Sequence, residues 1–251
     1  MLASGAGPMV TVAVPSFNQG RYLGAALESL LAQRVPMEIL VADGGSTDQS
    51  VEIISGYESQ LSGWRSRPDA GQGAAINECI ARGSAPYVCW INSDDMLLPS
   101  GIAALLRALE NEPSAAMAYG RAWNQKDSSG RRRAVWVEPF SAHRLAQRCI
   151  VSQPATLIRR SAWEAVGGLD ETMYMAMDYD LWWRLYQRFG PLRFVDEVIA
   201  VNREHAATKT RRNRALHYRE AMQVVRRHHG RVPLKWWLYQ PYSVWLKTLL
   251  S

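Results

Sequence analysis

Apolar residues recur along this chain in two periods, and the first half alternates between them. Val10-Thr11-Val12-Ala13-Val14 is a β-branched run closed by Pro15, which predicts a buried strand. Leu23, Leu27, Leu30 and Leu31 follow at helical spacing, behind Asn18 as a capping residue. Glu38 to Ala42 predicts a second strand that ends at Asp43 and turns at Gly44-Gly45. Ser46 and Gln49 fit a capping box for a helix through about Tyr57. A third strand around Trp64, a helix over 71–82 and a fourth strand over 87–91 come next. Pro99 then fits the first turn of a helix carrying Leu105, Leu106 and Leu109. Strand–helix units in succession predict an α/β protein with a mostly parallel central sheet and helices on both faces.

The second half is less regular. Short strands are expected over 116–122 and 134–137, and a strand entering a helix over 152–160. Gly167-Gly168-Leu169-Asp170 predicts a sharp turn, and a strong helix runs from Asp178 to Phe189. On that helix Asp178, Leu181, Trp182, Leu185 and Phe189 share one face, so Asp178 is aimed inward at the first turn. Asp180 lies off that face and can pair with Arg184, worth about 0.3 kcal/mol if exposed.

A hydrophobic content of 47% with 21% charged residues fits a soluble globular chain. No apolar stretch reaches the roughly 18 residues needed to span a bilayer. The start, Met1 to Pro8, predicts a frayed end rather than a signal peptide. Cys79 and Cys89 sit in apolar contexts, and with Cys149 they lack metal-ligand spacing; they read as reduced thiols of a cytoplasmic protein. Residues 203–251 carry 11 Lys/Arg against 2 Asp/Glu, a net +9 that leaves −3 for the rest of a chain of total charge +6. Arg211, Arg212, Arg214, Arg219, Arg226 and Arg227 fall on an expected long helix ending near Gly230. Beyond Pro233, Leu234, Trp237, Leu238, Trp245, Leu246 and Leu249 lie near one helical face, kinked at Pro241. That is the composition of a segment lying on an anionic membrane surface, or of a helix packed on protein. No nucleic-acid module is present.

The candidate chemistry is acidic. Val88-Cys89-Trp90-Ile91 ends in Asn92-Ser93-Asp94-Asp95, which puts adjacent carboxylates at the exposed carboxyl end of a buried strand. Paired carboxylates repel unless a cation sits between them, and Mg²⁺ or Mn²⁺ often bridges such groups to a diphosphate. Asp43 and Asp69 fall on the same sheet edge. Neither G-x-x-x-x-G-K nor an early G-x-G-x-x-G occurs, so phosphate would be held by a metal and polar side chains. No activated nucleophile is evident either.

In order and spacing over residues 10–208, eight segments resemble the family-2 glycosyltransferases of the GT-A (nucleotide-diphospho-sugar transferase) fold. They are Val12-Ala13-Val14-Pro15-Ser16-Phe17-Asn18-Gln19, Val41-Ala42-Asp43-Gly44-Gly45-Ser46-Thr47-Asp48, Pro68-Asp69-Ala70-Gly71-Gln72-Gly73, and Trp90-Ile91-Asn92-Ser93-Asp94-Asp95, followed by Gln153-Pro154-Ala155-Thr156, Gly167-Gly168-Leu169-Asp170, Met177-Asp178-Tyr179-Asp180 and Arg203-Glu204-His205. The resemblance implies inverting transfer of a sugar from a nucleoside diphosphate sugar (UDP, dTDP or GDP), with Mn²⁺ or Mg²⁺. The acceptor implied is a glycan, lipid-linked in cell-surface polysaccharide or glycolipid synthesis at the inner face of the plasma membrane. By the same resemblance, Pro15, Asp43 and Asp69 meet the nucleotide, as do Asn92 and Asp94. Asp94, Asp95 and His205 hold the metal, Asp178 is the catalytic base, and Gln153, Gly167 and Gly168 form the acceptor pocket.

Residues 1–208 would be the transferase domain, with a nucleotide half over 9–110 and an acceptor half over 111–208. Residues 209–251 would be a helical basic and aromatic extension. Two positions depart from the family pattern: Asn92 replaces an Asp and Met177 a Glu, each removing one negative charge. Asn92 is the best support for the alternative of a catalytically silent sugar-nucleotide-binding partner in an assembly. A nucleotidyltransferase is disfavoured because Pro15-Ser16-Phe17-Asn18 stands where its glycine-rich loop and lysine would be.

Overall fold

The β-branched run after Met9 forms β1 (Val10–Ser16), every residue of which is buried. The computed structural model describes residues 7–246, and of 243, 245 and 246 the backbone alone. The expected frayed start (residues 1–6), the side chains of Trp245 and Leu246, and Leu249 therefore lie outside the described residues. After β1 the chain alternates as expected through α1 (Gly20–Leu31), β2 (Met37–Asp43), α2 (Ser50–Gly56), β3 (Gly63–Ser66), α3 (Gln72–Arg82) and β4 (Tyr87–Trp90). The second half runs β5 (Met96–Leu97), α4 (Gly101–Glu110), β6 (Met117–Lys126), β7 (Arg132–Ala134), α5 (Ala142–Gln147), β8 (Thr156–Arg159) and α6 (Arg160–Ala165). It closes with α7 (Met177–Phe189), β9 (Arg193–Glu204), α8 (Lys209–Arg212), α9 (Arg214–His229) and α10 (Leu234–Gln240).

Among the described residues the strands form one mixed, mostly parallel sheet in the order β3-β2-β1-β4-β8-β6-β9-β5, with β7 beside β6. Parallel register places Ser16 opposite Asp43 and Asp43 opposite Ser66, so three strand ends share one edge. β4 pairs with β1 only as far as Ala13 opposite Trp90. Pro15 thus lies where β1 has outrun that neighbour, and its missing N–H costs no ladder bond on that side.

Apolar residues pack on both faces. On one, α1, α2 and α4 cover β1, β2 and β4. On the other, α3, α6, α7 and α9 surround three indoles. Trp90, the last residue of β4, stacks on Trp182 of α7 with ring centroids 5.8 Å apart and meets Trp163 edge-on at 6.0 Å. Buried aromatic pairs of this kind add about 0.5–1.5 kcal/mol beyond their buried area. Trp182 lies one turn after Asp178, and Asn92 two residues after Trp90, so this stack fixes the two acidic segments relative to each other.

Several local expectations need correction. Asn18 does not cap α1: it adopts φ 53°, and its Oδ1 accepts from Thr47 N at 2.9 Å. Asp48 receives Gly20 N at 2.9 Å instead, so the start of α1 is capped from the neighbouring loop. The Ser46/Gln49 box does not form, because Ser46 bonds Asp43 and Asp48 caps Ser50. α4 begins at Gly101, after a left-handed Ser100, and leaves Pro99 outside its first turn. The strand expected over 134–137 occupies Arg132–Ala134. Leu181, Trp182 and Leu185 are buried, but Phe189 is 38% exposed. β9 was not anticipated.

No structural break falls at 208. Ala221, Met222, Val224, Val225 and Trp236 join the same core as α7, and Trp236 Nε1 donates to Ala146 O at 2.8 Å. Gly230, left-handed at φ 80°, ends α9 where expected. No helix among the described residues is long and apolar enough to cross a membrane.

Candidate active site

The donor side is built from two laced turns. Asp43 is fully buried, and its Oδ2 accepts from Gly45 N (3.1 Å), Ser46 N (2.8 Å) and Ser66 Oγ (2.7 Å). This carboxylate, expected at the nucleotide, holds the turn after β2. Pro15, expected beside it, is likewise buried within β1. What is left over at this edge is Ser16 Oγ, buried without a hydrogen-bond partner, and the Phe17 ring, 61% exposed. An orphaned hydroxyl of this kind points to a polar ligand group. Asp69 accepts from Gly71 N at 3.0 Å and pairs with Arg65 at 3.1 Å; Arg65 also bonds Asp43 O at 2.7 Å, tying the two acidic positions together.

Beyond β4 the two neighbouring carboxylates part company. Asp94 Oδ2 lies 3.0 Å from His205 Nε2, an imidazole delivered by the end of β9 and packed on the Tyr22 ring at 4.4 Å. Asp95 is buried, and its oxygens receive Asn92 Nδ2 at 3.0 Å and Arg203 N at 3.1 Å. Burial, and then the charge of Asp94, push its pKa well above the ordinary carboxylate value. Among the described residues no three His, Cys, Asp or Glu side chains converge to hold a metal. Of the expected trio, Asp94 and His205 are brought together, while Asp95 turns to Asn92 and Arg203 N. A carboxylate and an imidazole still fit a divalent cation that completes its shell with diphosphate oxygens and water.

Asn92 is the hub of an amide chain. Its Oδ1 accepts from Gln72 Nε2 at 2.7 Å, while its Nδ2 donates to Asp95 and to Gln153 Oε1 at 3.1 Å. Gln153 in turn donates to Trp90 O at 2.8 Å, and Lys209 Nζ donates to Gln72 Oε1 at 2.9 Å. Gln153, expected at the acceptor, is hydrogen-bonded to Asn92 and to the end of β4. Gly167 and Gly168, at φ 78° and 66°, form the expected turn but act at a distance. They present Leu169 N to Asn77 Oδ1 at 3.0 Å, which docks the following segment on α3. Glu171 to Tyr174, Gly71 to Gly73 and Lys209 then line a cavity of about 120 Å³. A broader depression of about 650 Å³ flanks the edge strand β3 at Gly63, Trp64 and Arg82 and holds none of the chemistry.

Asp178 opens α7, half-buried, with Tyr179 N donating to its Oδ1 at 2.8 Å. Burial raises its pKa, opposed by that N–H and by the charges of His217 and Lys209. Lys209 is itself pushed down to about 8 by burial. The result is a carboxylate more basic than usual within electrostatic reach of Lys209, while burial lowers the pKa of the neighbouring His217 and favours its neutral imidazole. Glu220 of α9 supports it by accepting from Met175 N (2.7 Å) and Ala176 N (3.0 Å), which anchors the approach to α7. Sequence reasoning missed Glu220 and Lys209, since neither lies in a recognisable motif. Asp180, expected to be exposed, is fully buried and receives Arg184 Nε at 2.7 Å and His228 Nε2 at 2.8 Å.

Residues 11–166 match the family model described as glycosyl transferase family 2. An uncharacterised glycosyltransferase of Rickettsia prowazekii is 27% identical over 217 residues, 81% of this chain and 66% of that protein, so the chain spans just under two thirds of that relative's length. S. aureus TarS (residues 1–349) superposes with a TM-score of 0.70 at 18% identity, over 95% of this chain and 73% of that one, and a form in complex with UDP-GlcNAc also matches. The mannosyltransferase PcManGT from Pyrobaculum calidifontis, in complex with GDP-Man and Mn²⁺, matches at 0.66 and 16% identity, over 94% and 68%. These structural matches show the GT-A fold.

Proposed function

The chain belongs to glycosyl transferase family 2, and on that premise we propose that it transfers a sugar, with inversion, from a nucleoside diphosphate sugar to a hydroxyl of a glycan acceptor. One observation carries the reading. Lys209, within electrostatic reach of Asp178, begins a hydrogen-bonded chain through Gln72 and Asn92 to Asp95, the residue next to Asp94 of the Asp94–His205 pair. The donors in the TarS and PcManGT complexes support UDP- or GDP-linked sugars, and the latter supports Mn²⁺. Asp94 and His205 would hold the cation, which when bound supplies counter-charge to the departing diphosphate. Ser16 offers its free hydroxyl to the nucleotide. Asp178 takes the proton from the acceptor hydroxyl as that oxygen attacks the anomeric carbon and the diphosphate departs, its raised pKa making it a stronger base while Lys209 favours its ionised form. Asn92, the basis for a silent binding partner, is integrated into the site, and this supports turnover.

The acceptor is proposed to be lipid-linked and reached at an anionic membrane surface on the cytoplasmic side. Trp236 pins α10 while Leu234, Trp237 and Leu238 are 70%, 53% and 69% exposed, beside exposed Arg231 and half-buried Lys235. Apolar and aromatic tips among cations complement anionic headgroups. Purified chain with Mn²⁺ and a panel of UDP-, GDP- and dTDP-sugars should release nucleoside diphosphate, and Asp178→Asn should stop transfer while sparing nucleotide binding. Loss of both would reassign Asp178 to structure.

A further inference from the structure

Arg148 follows α5, with Glu138 within electrostatic reach but not in contact as an ion pair. Its Nε is buried without a hydrogen-bond partner, and its guanidinium makes no ion pair among the described residues. Its one close partner is the Trp136 ring, 4.8 Å from Cζ. The nearest carboxylate, Glu138, is already engaged: Arg144 grips it through Nε at 2.7 Å and Nη2 at 2.6 Å, and Trp136 Nε1 donates to it as well. A cation left partly buried and unpaired is costly, and the planar guanidinium fork matches a carboxylate or phosphate. Trp136 is 60% exposed, so the indole offers open surface beside the cation.

The location matters. Cys149, the next residue, lies within electrostatic reach of both Arg148 and Asp178. The residue after Asp178 is tied to the same segment, through a hydrogen bond from Tyr179 Oη to Leu145 O. The segment that carries Arg148 is thereby packed against the first turn of α7.

We propose that Trp136 and Arg148 form an acceptor subsite for an anionic saccharide, with a sugar ring against the indole and a carboxylate or phosphate on the guanidinium. This rests on Asp178 being the transferase base, and it names the acceptor class. The test uses the full chain saturated with UDP and Mn²⁺, so that donor-side anion sites are filled. Ligand-observed NMR titrations compare methyl β-glucuronide, glucose 6-phosphate and methyl β-glucoside. At least one anionic probe should bind about tenfold more tightly than the neutral glucoside, and which one distinguishes carboxylate from phosphate. Arg148→Gln should abolish that preference while leaving UDP binding unchanged; Arg148→Lys should keep part of it; Trp136→Leu should weaken all three sugars. Equal binding of neutral and anionic probes, a preference that survives Arg148→Gln, or no binding of any probe up to about 10 mM overturns the proposal. Failure of UDP itself to bind would count against the donor reading, and the sugar comparison would still stand in its absence.

Discussion

Replacing Asp180 by alanine should destabilise the chain by about 3–5 kcal/mol, the range for breaking a buried ion pair from one side. The carboxylate is fully buried between α7 and α9 and accepts from Arg184 Nε (2.7 Å), His228 Nε2 (2.8 Å) and Arg227 Nη1 (3.2 Å). Removing it strands the Arg184 guanidinium, whose side chain is only 22% exposed. Arg227 is 53% exposed and can rehydrate, so Arg227→Ala should cost less than about 1 kcal/mol. An exposed i,i+4 pair, as sequence alone suggested, would lose only about 0.3 kcal/mol. Urea unfolding separates these values: with a slope of about 2–3 kcal/mol per molar, the midpoint should fall by about 1–2 M. Burial raises the Asp180 pKa, but the hydrogen bonds from His228 and Arg184 prevail and leave it below the ordinary value. Its contribution is thus fully present at neutral pH and fades as pH falls below about 4. A penalty below about 1 kcal/mol at pH 7, or one that does not shrink in acid, would refute the reasoning.

Three further outcomes are expected. Asp178→Asn should lower transfer by about 10²- to 10⁴-fold; because burial raises the folded pKa of Asp178, the variant should also melt higher at pH 7 in thermal shift, a gain that vanishes in acid where the wild-type carboxyl is protonated. Asn92→Asp sets a second carboxyl 3.0 Å from Asp95, whose pKa is already raised; an ionised pair at that spacing would repel by about 5.5 kcal/mol at an effective dielectric of 20, an upper bound because proton uptake relieves it. Its melting temperature should drop without divalent cation and recover in part with Mn²⁺; an unchanged melting temperature would show that the amide is dispensable. Trp237→Ser with Leu238→Ser should reduce flotation with anionic liposomes and leave donor hydrolysis intact, and undiminished flotation would discard the membrane-facing role of α10.

The first half of the fold was legible because its elements are local: β1, β2 and β4 announce themselves by β-branched runs, and α1 by its leucine spacing. What escaped depends on distant partners. β9 reads poorly as Arg193-Phe194-Val195-Asp196-Glu197, and becomes a strand because β6 offers it a long parallel ladder. Periodicity showed which face of α7 carries Asp178, but not that α9 covers Asp180. Motif spacing singled out Asp94, His205 and Asp178, and the fold brings the first two within 3.0 Å of each other. The same logic singled out Asp43 and Gln153, but could not show that their hydrogen bonds hold the turns and strand ends around them. Glu220 was unreadable, since the N–H groups it anchors lie some 45 positions earlier in the chain.

The stitching of the loop after β1 to the loop after β2, through Asn18, Thr47, Asp48 and Gly20, has a practical consequence for anyone wishing to retrain this protein. On the proposed reading these loops cradle the incoming base, and their hydrogen bonds to each other are in place before anything enters. Single replacements among those residues will unpick the seam rather than reshape it. Altered donor preference will come from coordinated changes in both loops at once, and one-position libraries there should return mostly inert variants.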